Sequence, residues 1–229
     1  MPTILIFGVR NLGRTVGAQF AAAGWRVAGV ARTEETVDAF RSELPDALAF
    51  AADAGSEDDV ERILAEVGEV DAVVNAITDW PTGGSITELG QDAAERYFQG
   101  LVPAIFNVLR LGCRHLAAQG SGTFVQVTGG SARRGMAGRS TWAASAMATR
   151  ALTQSAADEL RSKGVHVALL VVDAVIESPK VADRIKDLPP DATATQEDCA
   201  RAIEYLVSQT PRGWTHELLL TPAGERYVP

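Results

Sequence analysis

Near its start the chain reads Thr3-Ile4-Leu5-Ile6-Phe7-Gly8-Val9-Arg10-Asn11-Leu12-Gly13. The first five residues form a short apolar run without alternation, as expected for a strand buried on both faces. Gly8 and Gly13 then bracket a tight turn. Gly13–Ala23 reads as a helix, with Val16, Phe20 and Ala23 at i, i+4 and i+7 and Gly24 ending it. A buried strand, a glycine turn and a helix N-terminus, in that order, bring backbone N–H groups to a place that a pyrophosphate can approach.

Outward from this unit the alternation continues. Strands are predicted at Arg26–Ala31, Ala47–Ala52, Asp71–Ala76, Thr123–Thr128, Val165–Val172 and His216–Leu220. Between them lie predicted helices at Glu34–Leu44, Glu57–Val67, Gln91–Ala118, Arg139–Lys163 and Gln196–Gln209. Ser56 caps the helix at Glu57, which carries acids in its first turn. The pattern predicts one α/β domain over residues 1–229, a doubly wound, Rossmann-like parallel sheet of about seven strands with helices on both faces. Right-handed crossovers place the strand C-termini along one edge, where ligands bind. Ser178–Thr195, with Pro179, Pro189 and Pro190, follows the sixth strand at that edge. It is expected either to cover a substrate or to be an ordinary surface connection.

Composition sets the frame. At 229 residues and 46% hydrophobic, the chain can bury one substantial core. A net charge of −8 argues against a nucleic-acid or anionic-membrane partner. No apolar run reaches membrane-spanning length and the N-terminus is too short for a signal peptide, so a cytoplasmic location is expected. Cys113 and Cys199 have no metal-like spacing, so neither a metal site nor a disulfide framework is expected.

Chemistry gathers at the ligand edge. Arg32 closes the second strand, where an acid would bind a ribose 2′-hydroxyl and a basic residue accommodates a 2′-phosphate. With Arg10 and Arg14 close by, the charge favours NADP(H) over NAD(H), because guanidinium donors match phosphate oxygens in pairs. The competing reading of Arg32 is a solvated strand end.

From here the chain resembles the short-chain dehydrogenase/reductase family over nearly its whole length. Phe7–Gly13 resembles the family's glycine-rich turn, Asp53 the aspartate that meets the adenine amine, and Val74-Asn75-Ala76 the Asn-Ala-Gly segment. Val127–Leu152 resembles the active-site strand and helix, and Val172–Pro179 the Pro-Gly segment beneath the nicotinamide. The resemblance implies cofactor contacts at Gly8, Arg10, Asn11, Leu12, Gly13, Arg32, Asp53, Ala54, Asn75 and Ala76. It also implies a homodimer or homotetramer packed through the alanine-rich helices at Gln91–Ala118 and Arg139–Lys163.

The departures are as informative. Gly8 and Gly13 lie five apart, one residue closer than the family's first and last glycines, and Asn11 or Leu12 replaces the middle one. Ile77 replaces the glycine after Asn75-Ala76, and Asp173-Ala174 replaces Pro-Gly. By register, the family's catalytic asparagine, serine, tyrosine and lysine fall on Gly100, Gly129, Trp142 and Ala146. This resembles an atypical branch that lacks the tetrad, as does Trp214-Thr215-His216-Glu217, which opens the last strand. An indole N–H donates but cannot cycle a proton at neutral pH. A positioned acid is worth roughly 10²–10⁴-fold in rate. Tyr97, Tyr205 and Tyr227 are expected to lie far from the Trp142 helix.

Asp173, Asp79 and Ser131 are candidate substitutes, a carboxylate beside an apolar tryptophan being able to serve as acid or base. Ser140, Thr141 and Ser145 flank Trp142, and each of these residues also reads as a loop or cap residue. His115 and His166 read as structural. Trp80, Trp142 and Met136 suggest an apolar lining for a small-molecule substrate or ligand. Three readings follow: an NADP(H)-binding oxidoreductase relative; a non-redox dehydratase, isomerase or cyclase on the same cleft; and a non-catalytic member.

Overall fold

Apolar runs without alternation require burial on both faces, and β1 (Thr3–Phe7) receives it: Ile4, Leu5 and Ile6 expose none of their surface. The computed structural model of the chain describes residues 1–79 and 83–225. After β1 come α1 (Leu12–Ala22), β2 (Arg26–Ala31), α2 (Glu34–Glu43), β3 (Leu48–Ala51), α3 (Glu57–Val67) and β4 (Ala72–Asn75). Then follow α4 (Gln91–Glu95), a π-helical turn over Arg96–Leu101, α5 (Val102–Gln119), β5 (Gly122–Gly129), α6 (Ser140–Leu160) and β6 (Val165–Val172). The remainder holds β7 (Val175–Ile176), α7 (Ala182–Ile185), β8 (Thr193–Ala194), α8 (Gln196–Val207) and β9 (Glu217–Leu220).

Seven strands form one parallel sheet in the order β3-β2-β1-β4-β5-β6-β9. This is the doubly wound, Rossmann-like α/β fold that the strand–helix alternation predicts. Side chains alternate between two cores even though both are buried. Leu5, Val73, Phe124 and Val167 pack with α3, α5 and α6, while Ile4, Val74, Val125 and Leu170 pack with α1, α2 and α8. The strand order reverses between β1 and β4, and the crevice beyond their C-terminal ends is the topological switch point.

Two expectations change. The long helix expected at Gln91–Ala118 is interrupted by the π-helical turn. Pro103 follows that turn and has no N–H for the carbonyl four residues back, which is where the helix widens. The stretch 178–195 is less irregular than its prolines suggest. Its base is closed by a two-stranded parallel ladder, Val175 with Thr193 and Ile176 with Ala194. Glu177 reinforces the ladder: its carboxylate accepts from the Thr193 hydroxyl (2.6 Å) and its carbonyl from Gln196 Nε2 (2.8 Å).

Cys113 and Cys199 are buried apart on α5 and α8, and burial pushes each thiol up to about 12. Both are therefore thiols that pack as small apolar groups. Among the described residues no helix is long and apolar enough to cross a membrane.

Candidate active site

The turn after β1 is clamped between β2 and β4. Gly8 sits at φ +95°, and a Cβ there would lie 2.9 Å from the backbone carbonyl of Ala76. A Cβ on Gly13 would lie 2.5 Å from the Gly8 oxygen. Only glycines let the chain turn this tightly and let α1 start against it. The Gly8 N–H donates to the Val30 carbonyl at 2.9 Å, which fixes the turn to the end of β2.

The start of α1 differs from those of α2, α3 and α8. Thr33, Ser56 and Thr195 cap these three helices with side-chain oxygens, and each has acids in its first turn. At α1 the N-cap Asn11 makes no side-chain cap bond, and the first turn holds no acid. A helix N-terminus without cap or carboxylate keeps its partial positive charge for an anion. Arg10 and Arg32 stand beside it with no partner among the described residues for either guanidinium. Arg14, which the sequence grouped with them, is instead bound to Glu43 at 3.0 Å.

Gly8, Arg10, Asn11, Leu12, Arg32, Asp53, Ala54 and Ala76 all line one cleft of about 1210 Å³ along the C-terminal edge of the sheet. Two expected cofactor residues do not reach that wall. Gly13 lies one step inside, packed on Gly8. Asn75 is fully buried: its Nδ2 donates to Gln126 Oε1 (3.0 Å) and its Oδ1 accepts the Ile77 N–H (3.2 Å). Asp53 accepts the N–H of Gly55 at 2.9 Å, which leaves its second oxygen at the rim.

The other half of the cleft carries Gly100, Gly129, Trp142 and Ala146 on one wall, together with Ser131, Met136, Asp79 and Asp173. Trp142 lies in the first turn of α6 and packs edge-on against Tyr97, with ring centroids 5.8 Å apart at 67°. This corrects the expectation that no tyrosine is near. Tyr97 is brought in by the π-helical turn, but it is fully buried behind the indole and is not on the cleft wall. Tyr205 is remote on α8 and 52% exposed, and Tyr227 and Trp80 lie outside the described residues. Ser145 donates to the Trp142 carbonyl at 2.8 Å, so its hydroxyl serves the helix.

Neither candidate acid stands free beside the tryptophan. Asp173 accepts from both Nη atoms of Arg134, at 2.5 and 3.2 Å, and Asp79 accepts from Nε and Nη2 of Arg96, both at 2.7 Å. Such fork-to-fork pairs engage both carboxylate oxygens. Asp173 also needs Gly130: a Cβ there would fall 1.8 Å from its Oδ1. Sequence reasoning missed Arg96, Arg134, Arg139, Lys180 and Arg184, which line this half of the cleft. The available signal was Arg133-Arg134 and Arg139 clustered between β5 and α6 in an acidic chain.

The histidines take the structural places expected. His115 bonds the Gly68 carbonyl, and His166 bonds the Thr215 carbonyl while stacking on Trp214. Glu217, from the tetrad beginning at Trp214, binds Arg150 and Arg133 and so ties β9 to α6.

This geometry agrees with comparison to known proteins, for residues 2–187 match the family described as short chain dehydrogenase. The chain belongs to the short-chain dehydrogenase family. Among its relatives, an NADPH-dependent pterin aldehyde reductase of Arabidopsis thaliana is 30% identical over 175 residues, spanning 73% of this chain and 72% of the relative. The human L-xylulose reductase is 26% identical over 220 residues, spanning 90% and 88%. A short-chain type dehydrogenase/reductase from Mycobacterium ulcerans superimposes with a TM-score of 0.88 at 24% identity, over 95% of this chain and 87% of that one. A serine dehydrogenase in complex with NADP+ superimposes with a TM-score of 0.88 at 16% identity, over 99% and 97%. At these identities the structural likeness shows the fold. In this member of the family, the uncapped α1, with Arg10 and Arg32 unpartnered among the described residues, fits the phosphates of a nucleotide.

Proposed function

We propose that the protein binds NADP(H) and a small organic ligand in this cleft, as an oxidoreductase-like member whose carbonyl chemistry runs without the family's tyrosine, lysine and serine. The observation that carries the reading is the α1 N-terminus, left without cap or acid and flanked by Arg10 and Arg32. The N–H groups at α1 would hold the pyrophosphate, and Arg10 and Arg32 the 2′-phosphate. The rim oxygen of Asp53 would accept from the adenine amine. When bound, the cofactor supplies a hydride. The chain's own contribution opposite it is a wall rather than an acid: Trp142 excludes water, and Ala146 and Gly129 offer no proton or hydroxyl. Carbonyl reduction is therefore expected to be slower than in a tyrosine-bearing relative by roughly 10²–10⁴-fold.

The non-redox reading would rest on Asp173, Asp79 or a serine, and the arginine pairs weaken it at both carboxylates. A cytoplasmic homodimer or homotetramer completes the proposal. It is supported by the family resemblance and by Phe106 on α5 and Met147 on α6, which are 42% and 41% exposed.

Thermal unfolding with NADPH and with NADH tests the proposal. A ligand at a hundred times its Kd stabilises by about 2.7 kcal/mol, or roughly 5–10 °C for a chain of this size. NADPH should give such a shift and NADH a smaller one. No shift with millimolar NADPH would overturn the reading.

A further inference from the structure

We propose that the ligand half of the cleft is an anion-recognition site, and that its ligand is a small molecule bearing a carboxylate or a phosphate monoester. This rests on the reading of the cleft just given and names the chemistry of its second occupant.

In a chain of net charge −8, five cations converge on this half from three segments: Arg96 from the π-helical turn, Arg134 and Arg139 from the β5–α6 connection, and Lys180 and Arg184 from the stretch after β7. Of the acids that line this half, Glu225 is exposed and the other three are bound elsewhere. Asp79 and Asp173 are held by Arg96 and Arg134, and Glu177 accepts from Thr193.

Arg134 is held ready for a ligand. Its fork is fixed on Asp173, which is only 7% exposed and seated against Gly130. Two of the five guanidinium N–H donors are spent there, so the remaining three are held in a fixed orientation at the cleft wall. The guanidinium groups of Arg139 and Arg184 have no partner among the described residues. Arg139 closes the loop that starts at Arg134 and stands three residues before Trp142. A bound carboxylate or phosphate would meet a preoriented fork and two cations whose pairing awaits it. A neutral ligand would make no use of these charged donors, of which Arg139 is half-buried and Arg184 exposed.

The test uses the full chain saturated with NADPH, with calorimetric titration of two matched probe pairs: benzoate against benzyl alcohol, and phenyl phosphate against phenol. At least one anionic probe should bind roughly tenfold or more tightly than its neutral counterpart, and the better of the two names the anion. Arg139→Gln and Arg184→Gln should each weaken the anion by about tenfold and leave the NADPH shift in place. Equal binding of the neutral probes would overturn the proposal, as would indifference to both substitutions. Displacement of the anion by NADPH would also overturn it, since the anion would then occupy the phosphate cradle. Should NADPH itself give no shift, the same titrations run on the cofactor-free chain, with Arg10→Gln and Arg32→Gln as cradle controls. Anion binding that survives those two and is lost in Arg139→Gln would support this inference while the cofactor reading fails.

Discussion

The two halves of the cleft treat their arginines in opposite ways. On the β1–β3 side, Arg10 and Arg32 stand beside an uncapped helix end without a partner among the described residues. On the β5–β6 side, Arg96 and Arg134 are each locked onto an aspartate. Arg10 and Arg32 are exposed and answered by water in the free chain, so it is their place beside a helix end in the cleft that matters. An arginine in that position is open to a ligand, while one answered by two bonds serves first to set geometry. The first half holds a charge in waiting; the second has built a scaffold and leaves Arg139 and Arg184 beyond it, beside Lys180.

The sharpest way to break this contrast is to remove the scaffold. Asp173→Ala strands a guanidinium whose side chain is 25% exposed, so the cost should approach that of breaking a buried pair, about 2–4 kcal/mol. Asp79→Ala opens a similar fork, but its side chains are 43% and 34% exposed, and loss of that pair should cost under about 1 kcal/mol. Denaturant unfolding of both variants checks the order. If Asp173→Ala unfolds like the wild type, the Arg134 pair sets no geometry.

On the other side, Arg32→Gln should leave stability within about 0.5 kcal/mol, because the exposed guanidinium has no partner among the described residues to lose. Its NADPH affinity should fall about tenfold, near 1.4 kcal/mol, and its NADH affinity should stay level. Titration of both nucleotides reads the difference. Equal loss for the two would mean that Arg32 does not meet the 2′-phosphate.

The fold was legible because each of its determinants is local. Five apolar residues in a row ask for a strand buried on both faces, and Gly8 and Gly13 ask for a turn that only glycines can make. The turn at the start of α1 was legible for the same reason. What escaped was everything set by contacts across the sequence. Arg134 meets Asp173 across 39 positions, and Arg96 meets Asp79 across 17. No pattern of spacing announces such pairs. Tyr97 reaches Trp142 because the helix widens before Pro103, a change of pitch that periodicity does not register. Asn75 shows the converse. Its sequence context suggested a ligand contact, but the side chain is absorbed by Gln126 in the neighbouring strand.

The smallest effect lies outside both halves and serves as their control. His166, at the start of β6, is held below its ordinary value of 6.5, chiefly because burial penalises the imidazolium, with His216 adding to the shift and the bond to the Thr215 carbonyl opposing it. In the folded chain this histidine stays neutral at pH values where the unfolded chain already takes up a proton. Between the lowered folded value and 6.5 the unfolded state binds more protons, so stability is fully present above pH 6.5 and declines as the pH falls through that window. The slope from this one group cannot exceed about 1.4 kcal/mol per pH unit. His166→Asn should flatten the fall in melting temperature between pH 7.5 and 5.5, although the substitution forfeits the stacking on Trp214. Because His166 sits at the opposite end of its strand from the cleft, the same substitution should leave the NADPH shift at pH 7.5 unchanged. A variant that kept the wild-type slope would assign the acid sensitivity to another group. One that lost the NADPH shift would show that the cleft's two halves depend on the far edge of the sheet, and the contrast between them would then not be local to the arginines.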